Sequence, residues 1–142
     1  YNIIEHKTGI LKMLNAVYSI TNLERRCCAR LPVKYLAQLA NGNKNIYATV
    51  VNISEKGLGI RIPHCLIIGD RINMKVNCYF SFGNNILEQF YVYLKVQVVW
   101  VLEESENVYL VGLKILDSYN DSIHKLKNHL QILFLQNAFN NP

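Results

Sequence analysis

Residues 24–63 read ERRCCARLPVKYLAQLANGNKNIYATVVNISEKGLGIRIP, and this stretch decides the fold. Leu31–Leu39 has the look of a strand, with Pro32 restricting its start. Asn41-Gly42-Asn43 is a strong turn signal. Ile46–Val51, rich in Val, Ile and Tyr, makes a second strand. Asn52-Ile53-Ser54-Glu55-Lys56-Gly57 is a turn. Leu58–Ile62 is a third strand, stopped by Pro63. A basic cluster of Arg25, Arg26 and Arg30 stands directly before this unit.

The pattern continues outward. Gly69-Asp70 marks a turn, and Arg71–Phe82 alternates apolar and polar residues as a half-buried strand does. Gly83-Asn84-Asn85 turns the chain again. Ile86–Leu102, long and rich in Val and Tyr, reads as one long or bulged strand. Glu103–Asn107 is a polar turn, and Val108–Leu116 is the last strand. Six strands with short turns imply an antiparallel sheet. Then the period changes. Asp117 or Ser118 is a candidate helix cap. Ile123, Leu126, Leu130, Leu133 and Phe134 recur at helical spacing, which predicts a helix over 118–137 with that stripe laid on the sheet. Residues 1–24 read as a connector or the tail of an upstream domain. Their apolar residues suit a short helix or a strand equally well. The chain begins at Tyr1, which suggests a piece of a longer protein.

Composition bounds the functions open to the chain. The 142 residues are 51% hydrophobic and 18% charged, which suits one domain with a real core. No apolar run is long enough to span a bilayer. The net charge of +5 favours an anionic partner, although most lysines are scattered along the chain. Cys27, Cys28, Cys65 and Cys78 fit neither a paired zinc pattern nor a redox pair. They read as small buried thiols of a reduced, cytoplasmic protein. His6, His64, His124 and His129 lie in different segments, and Asp70 and Asp121 have no obvious partner. No set of catalytic roles assembles, so neither enzyme nor metal protein is expected.

Two short motifs carry the functional reading. Arg26-Cys27-Cys28-Ala29-Arg30 fits RxxxR, and Asn52–Gly57 fits (D/N)xSxxG. Each alone is weak. Together, on either side of one strand–turn–strand unit, they resemble the signature of PilZ domains, and Trp100 and Gly112 extend the likeness into the late strands. The resemblance covers roughly residues 24–135. It implies a mainly β fold, a six-stranded antiparallel PilZ-type (split) β-barrel with a C-terminal α-helix, over residues 25–138. The arginine loop would be 25–30, the barrel 31–116 and the helix 118–137.

The resemblance also implies the ligand, cyclic di-GMP, and no further cofactor. Its candidate contacts are Arg25, Arg26, Arg30, Asn52, Ser54, Gly57 and Gly59. The chemistry is consistent with that. A guanidinium can fork onto phosphate oxygens or onto guanine O6 and N7, and its face can stack on a purine. Asn52 would meet guanine's polar edge with one acceptor oxygen where the family often has a carboxylate. Ser54 would donate to phosphate or base, or cap the turn. Gly57 would admit close approach or take positive φ, and Gly59 would do the same. A contact from Arg25 would favour a stacked pair of ligands. The loop would close on the ligand and reorient an upstream domain or a partner protein. Two other readings stand beside this one: a PilZ-like protein-interaction module without nucleotide, and a small nucleic-acid-binding barrel using Tyr91, Tyr93 and Lys95. For those tyrosines the plainer expectation is packing on the barrel.

Overall fold

A computed structural model describes residues 30–140, with side chains to residue 138. The expected lead-in and Arg25 and Arg26 of the arginine loop lie outside these residues. The strands are β1 (Leu31–Asn41), β2 (Lys44–Ile53), β3 (Gly57–Ile62), β4 (Arg71–Phe82), β5 (Asn85–Ser105) and β6 (Val108–Tyr119). They close antiparallel into a barrel in the order β1-β2-β3-β6-β5-β4. One helix, α1 (Ser122–Asn140), follows.

Local chemistry places the turns. Gly42, Gly69 and Gly83 all have positive φ, where glycine carries no steric penalty. Gly42-Asn43 and Gly83-Asn84 are therefore two-residue hairpin connections. β1 slips register between Pro32 and Tyr35, which absorbs the N–H that proline cannot supply to the ladder. The long β5 does carry the expected irregularities, with breaks at Lys95/Val96, Val98/Trp100 and Glu103/Ser105.

Alternation along the strands builds the core. Leu39, Val50, Ile60, Val76, Leu94 and Leu113 point inward and are essentially inaccessible. Leu126 and Leu130 of α1 join them. Helix and barrel also meet around His129, which is fully buried against Phe80, Phe90 and Tyr35. Its Nε2 shares a 2.6 Å hydrogen bond with the Tyr35 hydroxyl, while Nδ1 has no partner. Burial lowers its pKa to about 4 and raises that of Tyr35.

The C-terminal elements depart from expectation. β6 runs on to Tyr119 because Asp117 and Tyr119 pair with Lys95 and Tyr93 of β5. Asp117 and Ser118 therefore lie in a strand, and the helix begins at Ser122, not at Ser118. The break falls where Asn120 and Asp121 both take positive φ, a conformation these short polar residues tolerate. The buried Ser122 hydroxyl accepts from the Tyr93 amide at 2.8 Å and pins the helix start to β5.

Cys27 and Cys28 lie outside the described residues, and the other two cysteines differ from each other. Cys78 is a sealed core thiol whose pKa burial pushes up to about 12, so it stays protonated and unreactive at neutral pH. Cys65 is exposed, contrary to the expectation of a buried thiol.

Candidate functional site

Arg30 and Asn52, one residue from each motif, meet on the outside of the barrel. Arg30 immediately precedes β1, and Asn52 lies near the end of β2. The Arg30 guanidinium donates to Asn52 Oδ1 at 3.1 Å, across 22 residues of sequence. This bond fixes which way the amide is turned and leaves Nδ2 as its free donor.

Beneath them the surface is made of backbone. Asn52 pairs with Gly59, Gly59 with Gly112, and Gly112 with Trp100. One row thus runs across β2, β3, β6 and β5. A Cβ on Gly59 would sit 2.7 Å from the Asn52 amide, and one on Gly112 would run into the Trp100 indole. The two polar or aromatic side chains therefore lie flat over glycines, and any larger residue would lift them.

Of the two roles expected of Gly57, positive φ is not met, since its φ lies outside the left-handed region. It is glycine because a Cβ there would stand 2.5 Å from the Leu113 carbonyl oxygen and 3.7 Å from the Arg30 guanidinium. Close approach of β3 to β6, with Arg30 resting above, is what excludes a side chain.

Ser54 is buried and engaged within its own turn. Its hydroxyl accepts from the amides of Lys56 (3.3 Å) and Gly57 (3.1 Å) and lies 3.2 Å from the Gly57 carbonyl oxygen. Its own amide donates to that same carbonyl at 2.9 Å. The Lys56 carbonyl accepts from Ile115 of β6 at 2.8 Å, so the turn is tied to the next strand as well. This serine shapes the turn and presents no free hydroxyl outward.

Two further residues belong to this face through strand register alone. Lys114 is exposed and pairs with Gly57, which sets a second cation beside Arg30. Trp100 ends the glycine row, 38% exposed. The sequence marks Trp100 only as a late-strand residue and gives no sign of Lys114, since a cross-strand neighbour is invisible until the register is known.

Charge on the face is selective. Arg61, the outward residue of β3 after Gly59, is held by Glu104 through a forked pair, Nε to Oε1 at 2.7 Å and a second bond at 3.2 Å. The pair lowers the Glu104 pKa and raises that of Arg61. Arg30, by contrast, bonds a neutral amide, so its positive charge is not cancelled by that contact. No group of three metal-ligating side chains occurs among the described residues, and no described helix is long and apolar enough to cross a membrane.

The family model that matches the chain is the PilZ domain, over residues 24–131. No curated protein sequence matches it. Several solved structures do. The inhibitor of motility MotI/DgrA from Bacillus subtilis aligns with TM-score 0.63 at 12% identity, covering 83% of this chain and 53% of that one. YcgR from Escherichia coli, in complex with cyclic di-GMP, aligns with TM-score 0.61 at 18% identity, covering 82% and 48%. The PilZ domain of YcgR with cyclic di-GMP gives 0.56 at 15%, covering 81% and 93%. This chain therefore spans about half the length of the first two proteins and nearly all of the isolated domain. At these identities the likeness is one of fold.

Proposed function

The chain belongs to the PilZ domain family, and on that premise we propose that it is a cyclic di-GMP receptor module, without catalysis of its own, whose ligand lies on the glycine row beside Arg30. The observation that carries the reading is the 3.1 Å bond from Arg30 to Asn52 above Gly57 and Gly59. Residues of two motifs, 22 positions apart, converge on one patch, where the missing side chains of Gly57 and Gly59 let Arg30 and Asn52 lie close to the sheet and present their polar edges together.

In this reading Arg30 forks onto a phosphate or onto guanine O6 and N7. Asn52 Nδ2 donates to the guanine edge, while its oxygen stays with Arg30. Trp100 offers an aromatic wall to a purine, and Lys114 a point charge to a phosphate. Ser54 contributes through the shape of its turn. Arg25 and Arg26 complete the arginine loop, which closes on the ligand and turns whatever is joined to it. A switch of this kind requires the ligand to prefer the closed loop. YcgR and its isolated PilZ domain, similar to this chain in fold, were each solved with cyclic di-GMP, which supports the choice of ligand.

The test is calorimetric titration of cyclic di-GMP into the wild-type chain and into Arg30→Ala, with GTP and cyclic di-AMP as controls. Selective binding that the variant loses is the expected result, and the fitted stoichiometry separates one ligand from a stacked pair. Absence of heat and of any thermal shift in a folded wild-type sample would overturn the reading in favour of a protein-interaction module.

A further inference from the structure

We infer that the side of the barrel opposite this site is a second binding surface, and that its ligand is single-stranded nucleic acid. In the ring of strands β4 stands opposite β3. Burial alternates along β1, β4 and β5, so their outward residues can be named. β1 presents Lys34, Leu36, Gln38 and Ala40. β4 presents Arg71, Asn73, Lys75, Asn77 and Tyr79. β5 presents Gln89, Tyr91, Tyr93, Lys95 and Gln97. These stretches carry four cations, five amides and three tyrosines, and the one carboxylate paired with them is Asp117 of β6, opposite Lys95. Cations on this face therefore outnumber carboxylates four to one.

The register organises these side chains. Tyr47 pairs with Gln38, Gln38 with Lys75, Lys75 with Tyr93, and Tyr93 with Tyr119. A row of five therefore crosses five strands with a lysine at its centre. Two hollows flank that lysine. One, of about 170 Å³, lies between Leu36, Tyr47, Asn77 and Tyr91. The other, of about 440 Å³, lies between Asn45, Asn73, Tyr93 and Tyr119. Gln38 and Lys75 line both. The rings are not consumed by one another. Tyr91 and Tyr93 have centroids 6.4 Å apart at 48°, too tilted for mutual stacking. Tyr47 is 60% exposed and Tyr91 48%. The expectation that Tyr91 packs on the barrel does not hold. The Lys75 ammonium rests 4.8 Å above the Tyr91 ring centroid, held by a π face.

A hollow walled by tyrosine, a cation, and a second tyrosine-walled hollow form the alternation that a single strand requires. Its bases stack on aromatic faces, and the phosphate between them meets the lysine. The amides offer donors and acceptors to base edges without fixing one base. A duplex hides its bases inside the stack and would find only the cations. A protein partner would gain little from a face so rich in amides and cations.

The test uses the whole chain and fluorescence anisotropy with a labelled oligouridine of roughly 12 nucleotides at low salt. The comparison ligands are a DNA duplex of equal length and a sulfated polysaccharide. Binding of the single strand above both is expected. Tyr91→Ala should weaken it roughly tenfold, and Lys75→Gln should reduce the salt slope by about one phosphate contact. Circular dichroism checks that each variant is folded. Arg30→Ala and saturating cyclic di-GMP should leave the binding unchanged, which keeps this inference separable from the receptor reading. No binding by folded wild type, equal or better binding of duplex or polysaccharide, indifference to both tyrosine-face variants, or loss in Arg30→Ala would each overturn it.

Discussion

Two rows of side chains cross the same barrel, one centred on β3 and the other on β4, which stand opposite in the ring. Pro32, Asn52, Gly59, Gly112 and Trp100 follow one another across β1, β2, β3, β6 and β5. Tyr47, Gln38, Lys75, Tyr93 and Tyr119 follow one another across β2, β1, β4, β5 and β6. Register shifts adjoin Pro32, Asn52 and Trp100 in the first row, and none falls at the second. The rows differ also in how much side chain stands on the backbone. In the first row the two glycines have none, so Asn52 and Trp100 settle flat over them and cover them. In the second every residue projects, and the surface is a relief of rings around a lysine. A closed barrel thus fixes where side chains point and leaves the kind of surface to residue size. The same lesson appears in two arginines. Arg61 is neutralised by Glu104, whereas among the described residues Arg30 is bound to a neutral amide, which leaves its charge uncancelled.

The largest expected effect tests whether both rows depend on one core. His129 titrates at about 4 in the folded chain and near its ordinary value when unfolded. Its neutral form is favoured by folding, so the stabilisation is complete above pH ~6.5 and is lost as pH falls toward 4. The loss should be roughly 3 kcal/mol over that window. Urea unfolding at pH 7 and near pH 4.5 measures it. In His129→Gln, which retains a polar partner for Tyr35 but does not titrate there, the slope should flatten. An unchanged slope would mean that the helix and barrel are not joined through this imidazole.

Next in size is Arg30→Ala, which should cost about 2 kcal/mol, or roughly thirtyfold, in cyclic di-GMP affinity, with folding untouched. An equal cost from Tyr91→Ala would erase the distinction between the rows. Gly57→Ala comes third. Its Cβ meets the Leu113 carbonyl oxygen, and a backbone atom cannot swing aside. About 1–2 kcal/mol of stability should be lost in chemical denaturation, together with ligand affinity. The smallest effect is that of Glu104→Gln. This exposed pair contributes little to folding, so Tm should match wild type. Freeing Arg61 should raise cyclic di-GMP affinity at low salt, and the gain should vanish at high salt.

Much of the fold was legible because glycines with positive φ punctuate the strands. Gly42, Gly69 and Gly83 each mark a turn that the structure contains. The helix start was misplaced because Asp117 and Ser118 have cap chemistry, while pairing with β5 carries the strand past them. The real break depends on Asn120 and Asp121 adopting a conformation that their sequence allows and does not require. The site was legible to the extent that it is local. A turn at Ser54–Lys56 could be read off, and Ser54 closes it, although the signal is wider than the turn, since Asn52 and Ile53 end β2 and Gly57 opens β3. The reason for Gly57 could not be read, since it is a contact with Leu113, 56 positions away. Lys114 and the flat seat of Trp100 over Gly112 were hidden for the same reason, because register is a property of the folded sheet. The cation-rich tyrosine face was also hidden. Lys34, Arg71, Lys75 and Lys95 look scattered along the chain and gather only when the strands align.

The order β1-β2-β3-β6-β5-β4 returns to its start, but the seam that closes it is short: β1 and β4 pair only over Ala37–Ala40 and Asn73–Val76. Past that seam the β4–β5 hairpin runs on, and among the described residues Asn77–Phe82 and Asn85–Val92 pair with each other and with no third strand. Side chains stand in for the missing neighbour there: the Tyr79 carbonyl accepts from the Tyr35 hydroxyl and the Ser81 carbonyl from the Gln136 amide. The hairpin end is thus a stretch of this wall where ladder groups are guarded by side chains instead of by a strand.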